Sequence, residues 1–421
     1  MVDVWLPYGA TEVCVRVPAE NLRSIVRAQE KDGLEKLEEE VERALRNPIG
    51  SKRLSGIVKP GDKVALVLNM PDLSLSKLTV SSIMGELSQS GLKSDDLTVI
   101  LAYNPFTPKE PSVLGQIRDE FSALGVEVKV HDHYASDSVY VGEAEGEIKA
   151  YLNRDFAESS IKIIGSVFEP NPYTLYNYGG CGVALGLSNM ETVEDILAPA
   201  LIAEDAGETI FRRIAGFSRA ISVDFSIEVV RNVRGDAVGF FAGNFEETTL
   251  ECIKLVDSLF KVQVEELADI TVVSPGGLRF DRSIFSACGC LENALKVTKR
   301  NGVIILVAEC SEGYGDAEIQ KIIEKLRDDV ESLEKDLRKK FSVSGFIAYR
   351  FMRALRKANV LMVSAIPDHY ANKVPRLKIF RVANEALKHA SNKFERKLNV
   401  SVILHGNLVI PVVKEMEPKP A

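Results

Sequence analysis

Two cysteines one residue apart, Cys288 and Cys290 in SIFSACGCLENAL, stand where the apolar pattern begins a helix. Two more thiols follow features that end strands: Cys181 lies in a glycine-rich loop, YNYGGCGVALG, and Cys310 closes VIILVAEC. If the chain folds these points together, four thiols share one site. Soft thiolates select zinc, copper(I) or iron–sulfur clusters. The spacing argues against this. On a regular helix residues i and i+2 point about 200° apart, so Cys288 and Cys290 share an ion only if Gly289 distorts the first turn. No Cys-x2-Cys spacing occurs either. A free thiol also behaves as a small apolar group, and packing is the reading the spacing favours. A thiolate-bound metal or cluster, or a reactive thiol, is the alternative. Cys14 and Cys252 sit among apolar residues and read as packed.

The glycines offer a second chemistry. Gly179-Gly180-Cys181-Gly182 could present backbone N–H groups to an anion, and Gly276-Gly277 opens a turn before a helix, again an anion-binding arrangement. Neither is a GxGxxG fingerprint, and tight turns needing positive φ explain both equally well. Tyr173, Tyr176 and Tyr178 either line a cleft or cover a seam. A base working near neutral pH is most simply a histidine. The chain has five, His131, His133, His369, His389 and His405, and none lies in the glycine-rich loops. His131-Asp132-His133 ends a strand and reads as a solvated strand end rather than a cleft border.

Those residues must be positioned by an α/β framework. Strands at 63–69, 97–103 and VEVKVH alternate with amphipathic helices, a pattern that gives a mainly parallel sheet flanked by helices. The middle supplies the apolar segment SSIKIIGSVFEP, a helix around 191–216, strands near 220–231 and 236–241, and a long helix ETTLECIKLVDSLFKVQVEEL. Alternation then restarts at ITVVS, so two domains are expected, 1–265 and 266–421. The last strand, about 401–413, is a candidate to return to the first domain, and 414–421 reads as a disordered tail. The segment DAEIQKIIEKLRDDVESLEKDLRKK reads as one long helix whose narrow apolar stripe docks onto its domain. Ligands of open α/β sheets bind beyond the carboxyl ends of strands. Four such loops stand out: NMPDLSLSK, YNPFTPKEP, EPNPYTLYNYGGCGVALG and SPGGLRFDRSIFSACGC. They make Asn69, Asp72, Asn104, Phe106, Asn171, Tyr173, Tyr178, Gly179, Gly180, Gly276, Gly277, Phe285 and Ser286 the candidate ligand-cleft residues.

Composition removes other classes. Lys and Arg total 52 against 60 Asp and Glu, a net charge of -8. A mildly acidic chain without a basic run lacks the positive surface that phosphate neutralisation needs, so no nucleic-acid partner is expected. No apolar run reaches the length of a membrane span. MVDVWLPYGATEV has no signal-peptide pattern. A cytoplasmic location, a small-molecule ligand, no membrane partner and, as an open alternative, a homo-oligomer are expected.

The four loops in this order, together with NPIGS (47–51), FAGN (241–244) and the final VILHGNLVIPVVK, resemble the nickel-dependent lactate racemase family over nearly the whole chain. The resemblance implies two α/β domains with the active site between them. It implies a nickel pincer bound covalently through a lysine, histidine bases, and an arginine for the substrate carboxylate, with hydride moved from and back to the α-carbon of a 2-hydroxy acid. The motif positions have changed here. The family's Asp-x-Thr-Arg-Pro falls on Asn69 and Asp72, which inverts the charge meeting a carboxylate. One histidine position falls on Phe106, with Pro108 retained, and another on Asn171 or Pro172. The cofactor lysine falls on Gly182, so a covalent pincer is not expected. The second-domain set falls on Phe285, Ser286 and Gly289. The nickel-ligating histidine has no counterpart.

Two functions are therefore expected as alternatives. One is an isomerase or related enzyme on a small 2-hydroxy or carboxylic acid with a rewritten, thiol- or metal-based site. The other is a non-catalytic paralogue that binds a small ligand or a protein partner. The first predicts a polar cleft with converging thiols, the second a cleft filled by Phe106, Phe285 and the tyrosines.

Overall fold

The computed structural model describes residues 1–106, 111–134, 137–145, 147–326 and 329–414. Among the described residues, the apolar run Val64–Asn69 is a strand buried at all six positions. A strand covered on both faces reads as a continuous apolar stretch because no side faces water. It lies inside a seven-stranded sheet. Leu97–Leu101 and Ile161–Asn171 pair with it in parallel on either side. Glu127–Val130 and Phe225–Arg231 extend the sheet in parallel, and Ala237–Gly243 closes one edge antiparallel to Phe225–Arg231.

The second sheet has six strands, all paired in parallel. Ala268–Val273 lies within it, between Thr298–Val307 and Val400–Ile403. The fold class is thus the expected one, α/β with mainly parallel sheets flanked by helices.

Both ends of the chain pair with strands distant in sequence. Leu22–Val26 pairs with Val400–Ile403 as the outer strand of the second sheet. The hairpin of Val2–Tyr8 and Thr11–Val17 packs Val4, Leu6, Val15 and Val17 against Ile270, Val272 and Val303 of that sheet. Ile410–Val413 pairs with Lys261–Val264 rather than with the first sheet. The expected tail beyond 414 lies outside the described residues.

Three expected helices are broken. The segment around 191–216 is two helices, Met190–Leu197 and Ala206–Ala220. Pro199 falls between them, and Asp205 caps the second through its side chain to the Glu208 N–H. The long helix beginning at Phe245 stops at Phe260, because Lys261–Val264 alternates and is drawn into pairing with Ile410–Val413. The charged segment after Asp316 is Ala317–Leu326 followed by Val330–Leu337, the latter capped by Asp329. Ile319, Ile323, Leu333 and Leu337 are buried in one apolar cluster with Phe346 and Ile347, so this segment docks as expected.

Arg350, on the helix Val343–Lys357, joins the halves. Its Nε donates to Glu292 Oε1 at 2.8 Å, and Nη1 donates to the carbonyls of Ala200, Leu201 and Ala203 at 3.2, 3.1 and 2.7 Å. A guanidinium carries five N–H donors in a fixed fork, and here the fork is spent on one buried carboxylate and the carbonyls of the segment between two first-half helices.

Candidate ligand-binding site

The carboxyl ends of strands from both sheets converge on a cavity of about 240 Å³. Its wall takes Pro71, Tyr103 and Phe106 from loops after the first two central strands, and Glu169, Asn171 and Tyr173 from the end of Ile161–Asn171 and the loop beyond. Arg231 comes from the end of Phe225–Arg231. The second half adds Arg279, Phe285, Ser286, Gly289 and Asn407.

A polar network holds the first-half loops. Asn69 Nδ2 donates to Ser166 Oγ, Asn177 Oδ1 and the Tyr178 carbonyl, while Asn69 Oδ1 accepts from the Asn104 N–H. Asn104 Nδ2 donates to Asn177 Oδ1, and Asn104 Oδ1 accepts from the Phe106 N–H. Asn69 and Asn104 are thus scaffold behind the wall. Phe106, placed by that network, packs its ring 4.9 Å from Tyr173 and 5.7 Å from Phe346.

The charge in the cavity comes from residues that motif reading passed over. Glu169 accepts from Arg231 Nη2 at 2.9 Å and from Arg279 Nη2 at 2.6 Å. Burial alone would raise the Glu169 pKa, but the two guanidiniums outweigh it and hold the carboxyl at about 2. Burial lowers the Arg279 pKa, offset in part by Glu169. Asp72 Oδ2 lies 3.9 Å from Arg231 Nη1, while Asp72 Oδ1 caps a helix at the Leu75 N–H. Arg231 and Arg279 therefore offset the negative charge of Asp72 and Glu169. Among the described residues, four buried atoms of residues that line the cavity have no hydrogen-bond partner: Arg231 Nε, Arg279 Nη1, Tyr103 Oη and Asn407 Oδ1. Buried polar atoms are ordinarily paired. A sequence signal existed: Glu169 and Arg279 sit inside two of the four loops, and Arg231 is a charge at a strand's carboxyl end.

The remaining candidates lie elsewhere. Tyr178 is buried in the core, stacked on Phe245 at 6.3 Å. The Gly179 N–H goes to Glu228 Oε1, and the N–H groups of Cys181 and Gly182 go to the Tyr178 carbonyl, so this loop spends those donors internally. Gly179 is glycine because a Cβ there would come within 2.4 Å of Glu228 Oε1; Gly180 is likewise pressed on the Tyr178 ring. Gly276 and Gly277 have φ of 128° and 74° and form a tight turn, with the Gly276 N–H held by Ser274 Oγ. None of these lines the cavity.

The thiols are partly assembled. Cys288, Cys290 and Cys310 come close enough to feel one another's charge; the helix ends at Ala287 and resumes at Cys290, although Gly289 itself keeps helical backbone angles. Cys181 is apart, bonded to the Tyr176 carbonyl. Burial pushes the Cys181 and Cys288 thiols up to about 12 and also raises those of Cys290 and Cys310 well above the usual thiol value. Cys288 Sγ lies 3.4 Å from Tyr173 Oη. Among the described residues no group of three or more His, Cys, Asp or Glu is arranged to hold a metal. His131 and His133 both point a ring nitrogen at the Ser188 carbonyl, away from the cavity wall.

Comparison with known proteins decides the family. A model of the lactate racemase N-terminal domain matches residues 8–204, and one of the lactate racemase C-terminal domain matches residues 263–411. The chain belongs to the lactate racemase family. It is 23% identical to the lactate racemase of Thermoanaerobacterium thermosaccharolyticum, over 97% of this chain and 99% of that protein. It is also 23% identical to the lactate racemase of Lactiplantibacillus plantarum, over 97% and 100%. Among solved structures, the lactate racemase apoprotein from T. thermosaccharolyticum superposes with a TM-score of 0.83 at 22% identity, covering 98% of this chain and all of that one. A Thermotoga maritima protein superposes at 0.58 and 16% identity, over 91% of this chain. These likenesses show a shared fold.

The family's lysine-linked nickel pincer does not fit the residues present. A side chain at Gly182 would bring its Cβ within 2.9 Å of Asn69 Cβ. Among the described residues, no lysine or histidine lines the cavity. Among the described residues, no helix is long and apolar enough to cross a membrane.

Proposed function

We propose that this lactate-racemase-family protein binds a small carboxylate anion between its two halves, as a non-catalytic relative of the racemases. The observation that carries the reading is the pair of guanidiniums, Arg231 and Arg279, that line one cavity and meet at Glu169. An arginine presents N–H groups in the geometry a carboxylate accepts.

Binding is favoured over isomerisation because, among the described residues of the wall, the two side chains best placed to move a proton, Glu169 and Tyr103, are held away from neutrality. Glu169 is held at about 2 by its arginines, and burial raises the Tyr103 pKa well above its usual 10. A general base works best with a pKa near the operating pH. The aromatic wall of Phe106, Tyr173 and Phe285 agrees with this reading. The protein is read as cytoplasmic, with a small molecule as its partner.

Calorimetric titration with sodium acetate and with each lactate enantiomer tests it. Saturable binding is expected, lost by at least about tenfold in Arg279→Gln, since a charged hydrogen bond contributes about 1.5–3 kcal/mol. Incubation of either lactate enantiomer in D2O is expected to leave the α-proton in place. Exchange or racemisation by the purified protein would overturn the non-catalytic reading.

A further inference from the structure

We infer that the cavity selects a monocarboxylate carrying an aromatic or bulky apolar body, and that it rejects dianions. The inference rests on the carboxylate-binding reading and adds the ligand's charge and shape.

Charge sets the first limit. Arg231 and Arg279 bring two positive charges, and Glu169, bonded to both, removes one. Asp72, 3.9 Å from Arg231 but not part of the cavity wall, can only lower the balance further. At most one positive charge is therefore left for a ligand, and one carboxylate matches it. A second negative charge, on a dicarboxylate or a phosphate, would be desolvated without a partner, which is costly in a buried site.

Shape sets the second. A cavity of about 240 Å³ is far larger than a carboxylate, and the rest of its wall is mostly apolar: Phe106, Leu114, Tyr173, Phe280 and Phe285, with Val113 beside them. The Arg279 guanidinium stacks over the Phe280 ring at 4.7 Å, fixing one anion-binding fork directly against an aromatic face. A ligand held there by its carboxylate extends its body along that wall.

The test is calorimetric titration of the full chain with acetate, phenylacetate, succinate and inorganic phosphate, repeated on Phe285→Ala. Phenylacetate is expected to bind at least about tenfold more tightly than acetate, the lower end of what one methylene contributes in an apolar pocket. Succinate and phosphate are expected to bind no more tightly than acetate. In Phe285→Ala, a partly exposed position whose fold is checked by thermal melting, the phenylacetate-to-acetate ratio should fall several-fold. Equal affinities for acetate and phenylacetate would overturn the inference and leave the carboxylate site standing. Tighter succinate or phosphate would overturn the charge limit. If no anion binds, the carboxylate site itself falls and the inference with it.

Discussion

Glu228 lies at the centre of a fully buried strand, with one carboxyl oxygen bonded to the Gly179 N–H and the other without a partner. Burial is the dominant influence and lifts its pKa from 4.5 to about 8, with the Gly179 and Ser166 groups recovering only part. The native state therefore binds a proton that the unfolded chain releases. Stability from this residue is fully present below about pH 4.5 and is lost as pH rises through about 8. Glu228→Gln is expected to flatten that decline and to be more stable at pH 8.5 by about 1–3 kcal/mol, the cost of a poorly paired buried polar group, as measured by urea unfolding at pH 5, 7 and 8.5. The thiols give a second prediction at this scale. Cys14 is the partly exposed cysteine and the other five are buried. Since the thiolate is the reactive form, a disulfide reagent should modify about one thiol per native chain quickly and the rest only on unfolding. Rapid reaction at Cys288 or Cys310 would reopen the thiol chemistry set aside here.

Among the elements, the helix Val343–Lys357 backs the cavity wall through Phe346, whose ring packs 5.7 Å from Phe106 and 6.0 Å from Tyr173. Arg350 pairs with Glu292 inside the protein and also closes the carbonyls of 200–203, whereas Arg353 and Lys357 meet the exposed Glu204 at the rim. Removing one partner of a buried ion pair leaves an uncompensated charge and costs about 3–5 kcal/mol, while exposed pairs contribute about 0–1. Arg350→Met should lower stability by the larger amount and Lys357→Met by the smaller, both read from denaturant midpoints. A similar small effect in both would mean that the clamp does not hold the halves.

For the whole molecule, the second sheet depends on the chain's beginning. Leu22–Val26 supplies its outer strand, and Val4, Leu6, Val15 and Val17 cover one of its faces. A protein lacking residues 1–28 would expose that apolar face and an unpaired strand edge, which invites aggregation. It is expected to lose its cooperative melting transition or to be recovered insoluble, even though every residue lining the cavity is still present. A soluble, cooperatively folding truncation would show that the hairpin is an accessory.

Much of this protein was legible along the chain. Runs such as Val64–Asn69 and the spacing of helices between them fixed a parallel α/β fold, because periodicity reflects which faces meet water. The same local signals located the four loops, and with them Phe106, Asn171, Tyr173, Phe285 and Ser286 in the cavity wall. Local signals failed where long-range pairing decided: Lys261–Val264 read as the end of a long helix, yet it pairs as a strand with Ile410–Val413, and Leu22–Val26 joined a sheet built mainly from residues beyond 267. Only the tertiary structure could reveal the Arg231–Glu169–Arg279 cluster, since its members are separated by up to 110 positions and no spacing rule connects them. The charged cluster is the product of where three side chains meet after folding, and burial, which no stretch of sequence records, gives it its strength.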